Sequence, residues 1–138
     1  MANATKRVLV VDDHAPTRAL VRGILEAEKG TKFEVVEAGT GKDCLKAVDK
    51  QGPFDLILLD VNMPDMDGYA VCRALRTVEK SVPIIFITAK GDVKDFVEGR
   101  EAGADSYLVK PISRAHLRSV VNLFTSIERK SRGESAPQ

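Results

Sequence analysis

Short continuous apolar runs alternate along the chain with segments whose apolar residues recur every three or four positions. Val8-Leu9-Val10-Val11 is a β-branched run of the kind that forms a strand covered on both faces. Pro16 suits the first turn of the helix that follows, where Leu20, Val21, Ile24 and Leu25 make an apolar face that Gly30 ends. Phe33-Glu34-Val35-Val36 is less purely apolar and reads as an edge strand. Thr40 or Gly41 then opens a helix burying Cys44, Leu45 and Val48, stopped by Gly52-Pro53 because proline cannot continue it.

The second half repeats the scheme. Leu56-Ile57-Leu58-Leu59-Asp60 is the most hydrophobic run and predicts a central strand. A Pro- and Gly-containing loop leads to a helix striped by Val71, Ala74, Leu75 and Val78. Pro83 to Thr88 predicts a fourth strand, with proline tolerated at its first position. Val93, Phe96 and Val97 stripe a more polar helix ending near Gly103, and Ser106 to Val109 make a short fifth strand. The last helix begins near Ser113 and is striped by Leu117, Val120, Val121, Phe124 and Ile127. Five strand–helix pairs in strict alternation predict an α/β fold, a parallel sheet with helices on both faces. Five units are too few for an eight-fold barrel, which leaves an open doubly wound sheet. The expected organisation is a short tail over 1–5, one domain over 6–129, and a polar tail or linker start over 130–138.

Composition narrows the function without naming it. Twenty-one Lys and Arg against 20 Asp and Glu give a net charge of +1, no electrostatic footprint for nucleic acid or an anionic membrane. No apolar run reaches the ~20 residues of a membrane-spanning helix, and the first residues lack the apolar core of a signal peptide. The two cysteines, Cys44 and Cys72, have neither CxxC spacing nor neighbouring histidines, so a zinc site or disulfide framework is not expected and a reducing, cytoplasmic setting is.

Open parallel sheets bind ligands beyond the carboxyl ends of their strands. Those ends here carry Asp12-Asp13, Asp60, Thr88 and Lys110. Singly, each has a structural explanation as a cap, a turn former or a solvated lysine. Together they put three carboxylates, a hydroxyl and an ammonium on one rim. The resulting charge of −2 calls for a divalent cation, and oxygen ligands without imidazole or thiolate suit Mg²⁺. A carboxylate beside Mg²⁺ and Lys can attack phosphorus to give an acyl phosphate. Asp60, ending the central strand, is the best placed nucleophile; Thr88 and Lys110 are placed to contact phosphoryl oxygens.

Val-Val-Asp12-Asp13-His14, Leu-Asp60-Val-Asn62-Met63-Pro64-Asp-Met-Asp67-Gly68, Ile-Thr88-Ala89-Lys90 and Tyr107-Leu-Val-Lys110-Pro111 resemble the receiver domain of two-component response regulators, over about residues 6 to 128. The resemblance implies a flavodoxin-like fold of five strands in the order 2-1-3-4-5 with five helices. It implies that Asp60 accepts a phosphoryl group from a sensor histidine kinase or phosphotransfer protein. Mg²⁺ would be held by the carboxylates of Asp13 and Asp60, the backbone carbonyl of Asn62 and, through water, Asp12. Thr88 and Tyr107 would form a switch pair, and Lys110 would bind the phosphoryl group. Asn62 and Lys90 would tune the acyl-phosphate lifetime. The face built by the fourth helix, fifth strand and fifth helix, about Val93 to Ala102 and Ser106 to Phe124, would bind a partner or mediate a weak homodimer. Lys94, Asp95, Glu98 and Arg100 make it polar enough for a transient contact. A cis peptide at Lys110–Pro111 is expected, to aim the Lys back at the rim.

Rival readings fare worse. An aspartyl-phosphate phosphatase of the haloacid dehalogenase type needs a second Asp two residues after the nucleophile, and Asn62 there cannot transfer a proton. A flavodoxin-like cofactor binder would place a phosphate loop where the acidic pair stands. A topoisomerase-primase type metal domain would want an Asp-x-Asp after a later strand, which is absent. Periodicity alone reads Tyr107 as a half-buried aromatic. His14 and His116 read as exposed, Met63 and Met66 as loop packing, and Arg129, Lys130 and Arg132 as helix-end or linker cations. Too few residues follow the last helix for an output domain, so the expectation is a stand-alone receiver or a piece of a longer regulator.

Overall fold

The computed structural model of the chain describes residues 5–89 and 93–126. Lys90, Ile127, Arg129, Lys130 and Arg132 lie outside the described residues, as do the side chains of Val93, Lys94 and Asp95. The elements are β1 (Lys6–Val11), α1 (Ala15–Glu26), β2 (Phe33–Ala38), α2 (Gly41–Gln51), β3 (Leu56–Asp60), α3 (Gly68–Val78), β4 (Ile84–Thr88), α4 (Val93–Ala102), β5 (Ser106–Val109) and α5 (Arg114–Ser126). All four strand pairings are parallel, in the order β2-β1-β3-β4-β5. The purely apolar runs became the inner strands, and the mixed run Phe33–Ala38 became an edge.

Strand alternation divides the core between two faces. Val8, Val10, Leu56, Leu58, Ile85, Ile87 and Leu108 pack against Val21, Ile24 and Leu25 of α1 and Leu117, Val120 and Val121 of α5. Leu9, Val11, Ile57, Leu59, Ile84 and Phe86 face the other way, toward α2, α3 and Ala102 of α4. Each such large side chain contributes about 1.5–3 kcal/mol of burial, so β3 and β4, buried at every position, form the centre of the molecule. No helix among the described residues is long and apolar enough to cross a membrane.

Several helix faces differ from the expected stripes. Leu20 is 47% exposed and Val78 72% exposed, because each helix meets the sheet along a narrow line carried by Val21, Ile24 and Leu25 in α1 and by Val71, Cys72 and Leu75 in α3. Helix α1 stops at Glu26, ahead of Gly30, which instead makes the following turn at φ 92°. In α4, Val97 is half exposed while Gly99 and Ala102 are buried: small residues bring this helix down onto the sheet. Gly103 does terminate it, at φ 112°. Thr40 caps α2 by accepting from the Asp43 N–H (3.0 Å), and Asp67 caps α3 by accepting from Ala70 (2.8 Å).

Candidate functional site

The strand order reverses between β1 and β3, so the carboxyl ends of these neighbours open a crevice at the switch point. Asp12 follows β1 directly and Asp60 is the last residue of β3. Both are buried, whereas Asp13 is exposed. Each of the three offers a carboxylate oxygen within 4.8 Å of the others. At an effective dielectric of ~20, two like charges ~5 Å apart repel by about 3 kcal/mol. Something positive must therefore stand beside them.

Lys110 supplies part of it. Its Nζ lies 3.0 Å from Asp12 Oδ2 and 3.7 Å from Asp60 Oδ1. The lysine continues from β5, where its N–H donates to the Thr88 carbonyl (2.7 Å), and the peptide bond to Pro111 is cis, as expected. Burial works to lower the Lys110 pKa, but the hydrogen bond and charge of Asp12, then Asp60 and Asp13, outweigh it and hold the ammonium above its ordinary range. Burial and then the Asp12 carboxylate push Asp60 up to about 6, against the pull of Lys110 and of the Asn62 N–H, which donates to Asp60 Oδ1 at 3.3 Å. One ammonium leaves the cluster under-neutralised. The donors are all hard oxygens, and the one nearby imidazole, His14, has its Nδ1 2.8 Å from the Thr17 hydroxyl. This donor set fits Mg²⁺.

Thr88 ends β4, one residue past the partner of Asp60 in the β3–β4 register, and is buried. Tyr107 lies on β5 opposite Phe86. Its ring meets Phe96 edge-on at 4.5 Å and Phe86 at 5.9 Å, with the hydroxyl oxygen buried under α4. A Cβ on Gly99 would collide with that hydroxyl and lie 2.8 Å from the Tyr107 Cζ. Likewise a Cβ on Gly68 would strike the backbone of Asp60 and Val61, so the glycine is what lets α3 start against the end of β3. The sequence thus brings Asp12, Asp13, Asp60, Asn62, Thr88 and Lys110 to one rim, with Tyr107 behind it on the β5 edge.

Three framing side chains were not singled out from the sequence. Asp65 accepts from the Gly41 and Lys42 N–H groups (2.9 and 3.0 Å), tying the loop after Asn62 to the start of α2; these bonds hold its carboxyl below the usual range. Arg18 and Glu37 join α1 and β2 behind the acidic pair. All three act across elements, and nothing in their local sequence distinguishes them from surface charges.

A doubly wound sheet in this order, with carboxylates at its β1/β3 switch point, is the CheY-like version of the flavodoxin fold. Comparison with known proteins agrees. The model of the response regulator receiver domain matches residues 8–122. A probable transcriptional regulator, ycf27, from Pyropia yezoensis is 43% identical over 125 residues, 88% of this chain and 49% of that protein. The transcriptional regulatory protein ResD of Bacillus subtilis is 47% identical over 111 residues, 80% of this chain and 44% of its own length. Among solved structures, the chemotaxis protein CheY4 of Vibrio cholerae superposes with a TM-score of 0.79 at 32% identity, covering 88% of this chain and 99% of that one. A CheY-like receiver domain protein from Methanospirillum hungatei gives 0.80 at 26% identity, over 96% and 100% of the two chains. The chain belongs to the response regulator receiver domain family of two-component systems. It spans about half the length of the curated relatives it matches.

Proposed function

We propose that the chain is a phosphorylation-controlled signalling module whose phosphoacceptor is Asp60. The observation that carries this reading is the buried Asp60 carboxylate at the end of the central strand, flanked by Asp12, Asp13 and Lys110. An Asp60 oxygen attacks the phosphorus of a phosphohistidine on a sensor kinase or phosphotransfer protein. An O–P bond forms, the P–N bond breaks, and the imidazole leaves with the electron pair. Hydrolysis of the acyl phosphate returns the carboxylate and inorganic phosphate. Asp13, Asp60 and the Asn62 carbonyl, with Asp12 through water, are the residues that would hold Mg²⁺, which neutralises the carboxylates and polarises the phosphoryl group. Lys110 pairs with a second phosphoryl oxygen and Thr88 donates to a third. Asn62, beside the phosphoryl site, sets how readily water reaches it. The chain transforms no substrate besides its own carboxylate, so it is a switch rather than an enzyme.

The output side is the α4-β5-α5 face. Thr88 moving toward the phosphoryl group vacates space beside β4, and Tyr107 occupies it. The face therefore has two arrangements, and phosphorylation favours the one this structure already holds, with the Tyr107 hydroxyl inward under α4. Phe96, Val97 and Val109, all exposed there, suit a transient protein partner or a weak homodimer. The near-neutral charge gives this domain no nucleic-acid role of its own, and a cytoplasmic setting matches its free, buried cysteines.

Incubation with Mg²⁺ and acetyl phosphate, read by intact-mass spectrometry, tests the phosphoacceptor. Wild type takes up one phosphoryl group and Asp60→Asn none. Equal uptake by both would move the chemistry away from Asp60.

A further inference from the structure

The three carboxylates are not held alike. Asp12 is buried against Lys110, and its Oδ1 accepts from the His14 N–H at 2.9 Å. Asp60 is fixed by β3, Lys110 and the Asn62 N–H. Asp13 is exposed, two residues past the end of β1, and follows directly on the Asp12–Asp13 peptide. The backbone is held on both sides of the Asp12 Cα, by β2 before it and by α1 after it. The Asp12 N–H donates to the Ala38 carbonyl at 3.1 Å, while the Asp12 carbonyl accepts from Arg18 Nη1 at 2.6 Å.

Arg18 is suited to this by its place in the chain. It stands in the first turn of α1, and helical side chains lean back over the turn before them. Its Nε donates to Glu37 at 2.9 Å, which orients the planar fork toward the Asp12 carbonyl. Glu37 is itself braced by Arg22, whose Nε lies 2.7 Å away. At the end of β2 a Cβ on Gly39 would come within 3.2 Å of Arg18 Nη1, so the glycine leaves the guanidinium its passage.

We propose that Arg18 is a positioning residue for the cation site: oriented by Glu37, it fixes the Asp12–Asp13 peptide and so aims the Asp13 carboxylate. The inference rests on the reading of the acidic cluster as an Mg²⁺ site. It makes a prediction opposite in sign to simple electrostatics. Removing a positive charge near a cation site should tighten binding, whereas losing the peptide clamp weakens it.

The test is Mg²⁺ titration of the intact chain, followed by amide NMR shifts at the ends of β1 and β3. Arg18→Met keeps the apolar stem, and its Mg²⁺ dissociation constant should rise by about tenfold, as for other residues that orient metal ligands. Arg18→Lys should recover part of that loss, since an ammonium keeps the charge but lacks the planar fork that engages Glu37 and the carbonyl together. Arg22→Ala removes the other brace of Glu37 but leaves the Arg18–Asp12 bond, and should stay within about twofold of wild type. If Arg18 serves only the fold, both Arg18→Met and Arg22→Ala lower the melting temperature while Mg²⁺ affinity holds, and the proposal fails. Unchanged or tighter binding in Arg18→Met overturns it also. Wild type that binds no Mg²⁺ overturns the cation site itself, an outcome distinct from failure of the Arg18 clamp alone.

Discussion

At the scale of the residue, the burial that pushes Asp60 up to about 6 ties protein stability to pH. In the unfolded chain this carboxyl titrates near its ordinary value of 3.8, so between the two values the folded state binds the extra proton. Its stabilising contribution is thus fully present below about pH 4 and is lost as the pH rises through 6. Glu37 runs the other way: held down by Arg22 and then Arg18, it contributes above its usual 4.5 and loses that contribution as the pH falls. Comparing wild type with Asp60→Asn isolates the first effect. In urea unfolding without divalent cations, the variant should be more stable at pH 7.5, by up to about 3 kcal/mol, and the gap should close below pH 4. A gap independent of pH would show that Lys110 already offsets the ionised carboxylate. The polar residues of this site were legible because each interrupts or follows an apolar run at a strand end, where the parallel fold gathers them. Arg18, Glu37 and Asp65 were not, since their partners lie on other elements and their own neighbours in sequence are ordinary helix, strand and loop residues.

At the scale of the element, the inner strands were read correctly because continuous apolar runs are required where both faces are covered. The helix faces were read less well. A residue one step round the helix, such as Leu20 beside Val21, satisfies the same periodicity yet turns away from the sheet. Helix α4 shows a further limit, for its buried line is Gly99 and Ala102, which hydrophobicity does not mark. Gly inside a helix ordinarily costs about 1 kcal/mol relative to Ala, and here the missing Cβ gives Tyr107 its inward site. Gly99→Ala should therefore drive Tyr107 outward despite the better helix former. The chain has no Trp and two Tyr, so in a Tyr69→Phe background Tyr107 is the sole fluorophore of its class. Iodide should quench it more strongly once Gly99 is replaced. Equal quenching would mean that α4 lifts to accommodate the Cβ and that the glycine does not set the ring's position.

At the scale of the whole molecule, sheet and site make one device. Asp60 and Thr88 end the two central strands, β5 carries both Tyr107 and the approach to Lys110, and α4 covers the tyrosine. A change at Asp60 thus has a packed route to the α4-β5-α5 face. The relatives named transcriptional regulators are about twice as long as the part this chain matches, and in a longer regulator that face is where the receiver would address its output. The most direct test of this account is backbone NMR with Mg²⁺, with and without beryllofluoride as a phosphoryl mimic. Shifts should extend from the ends of β1 and β3 through Thr88 to Tyr107, Gly99 and the rest of α4. Shifts confined to the loops around Asp60, with Tyr107 and α4 unmoved, would contradict it.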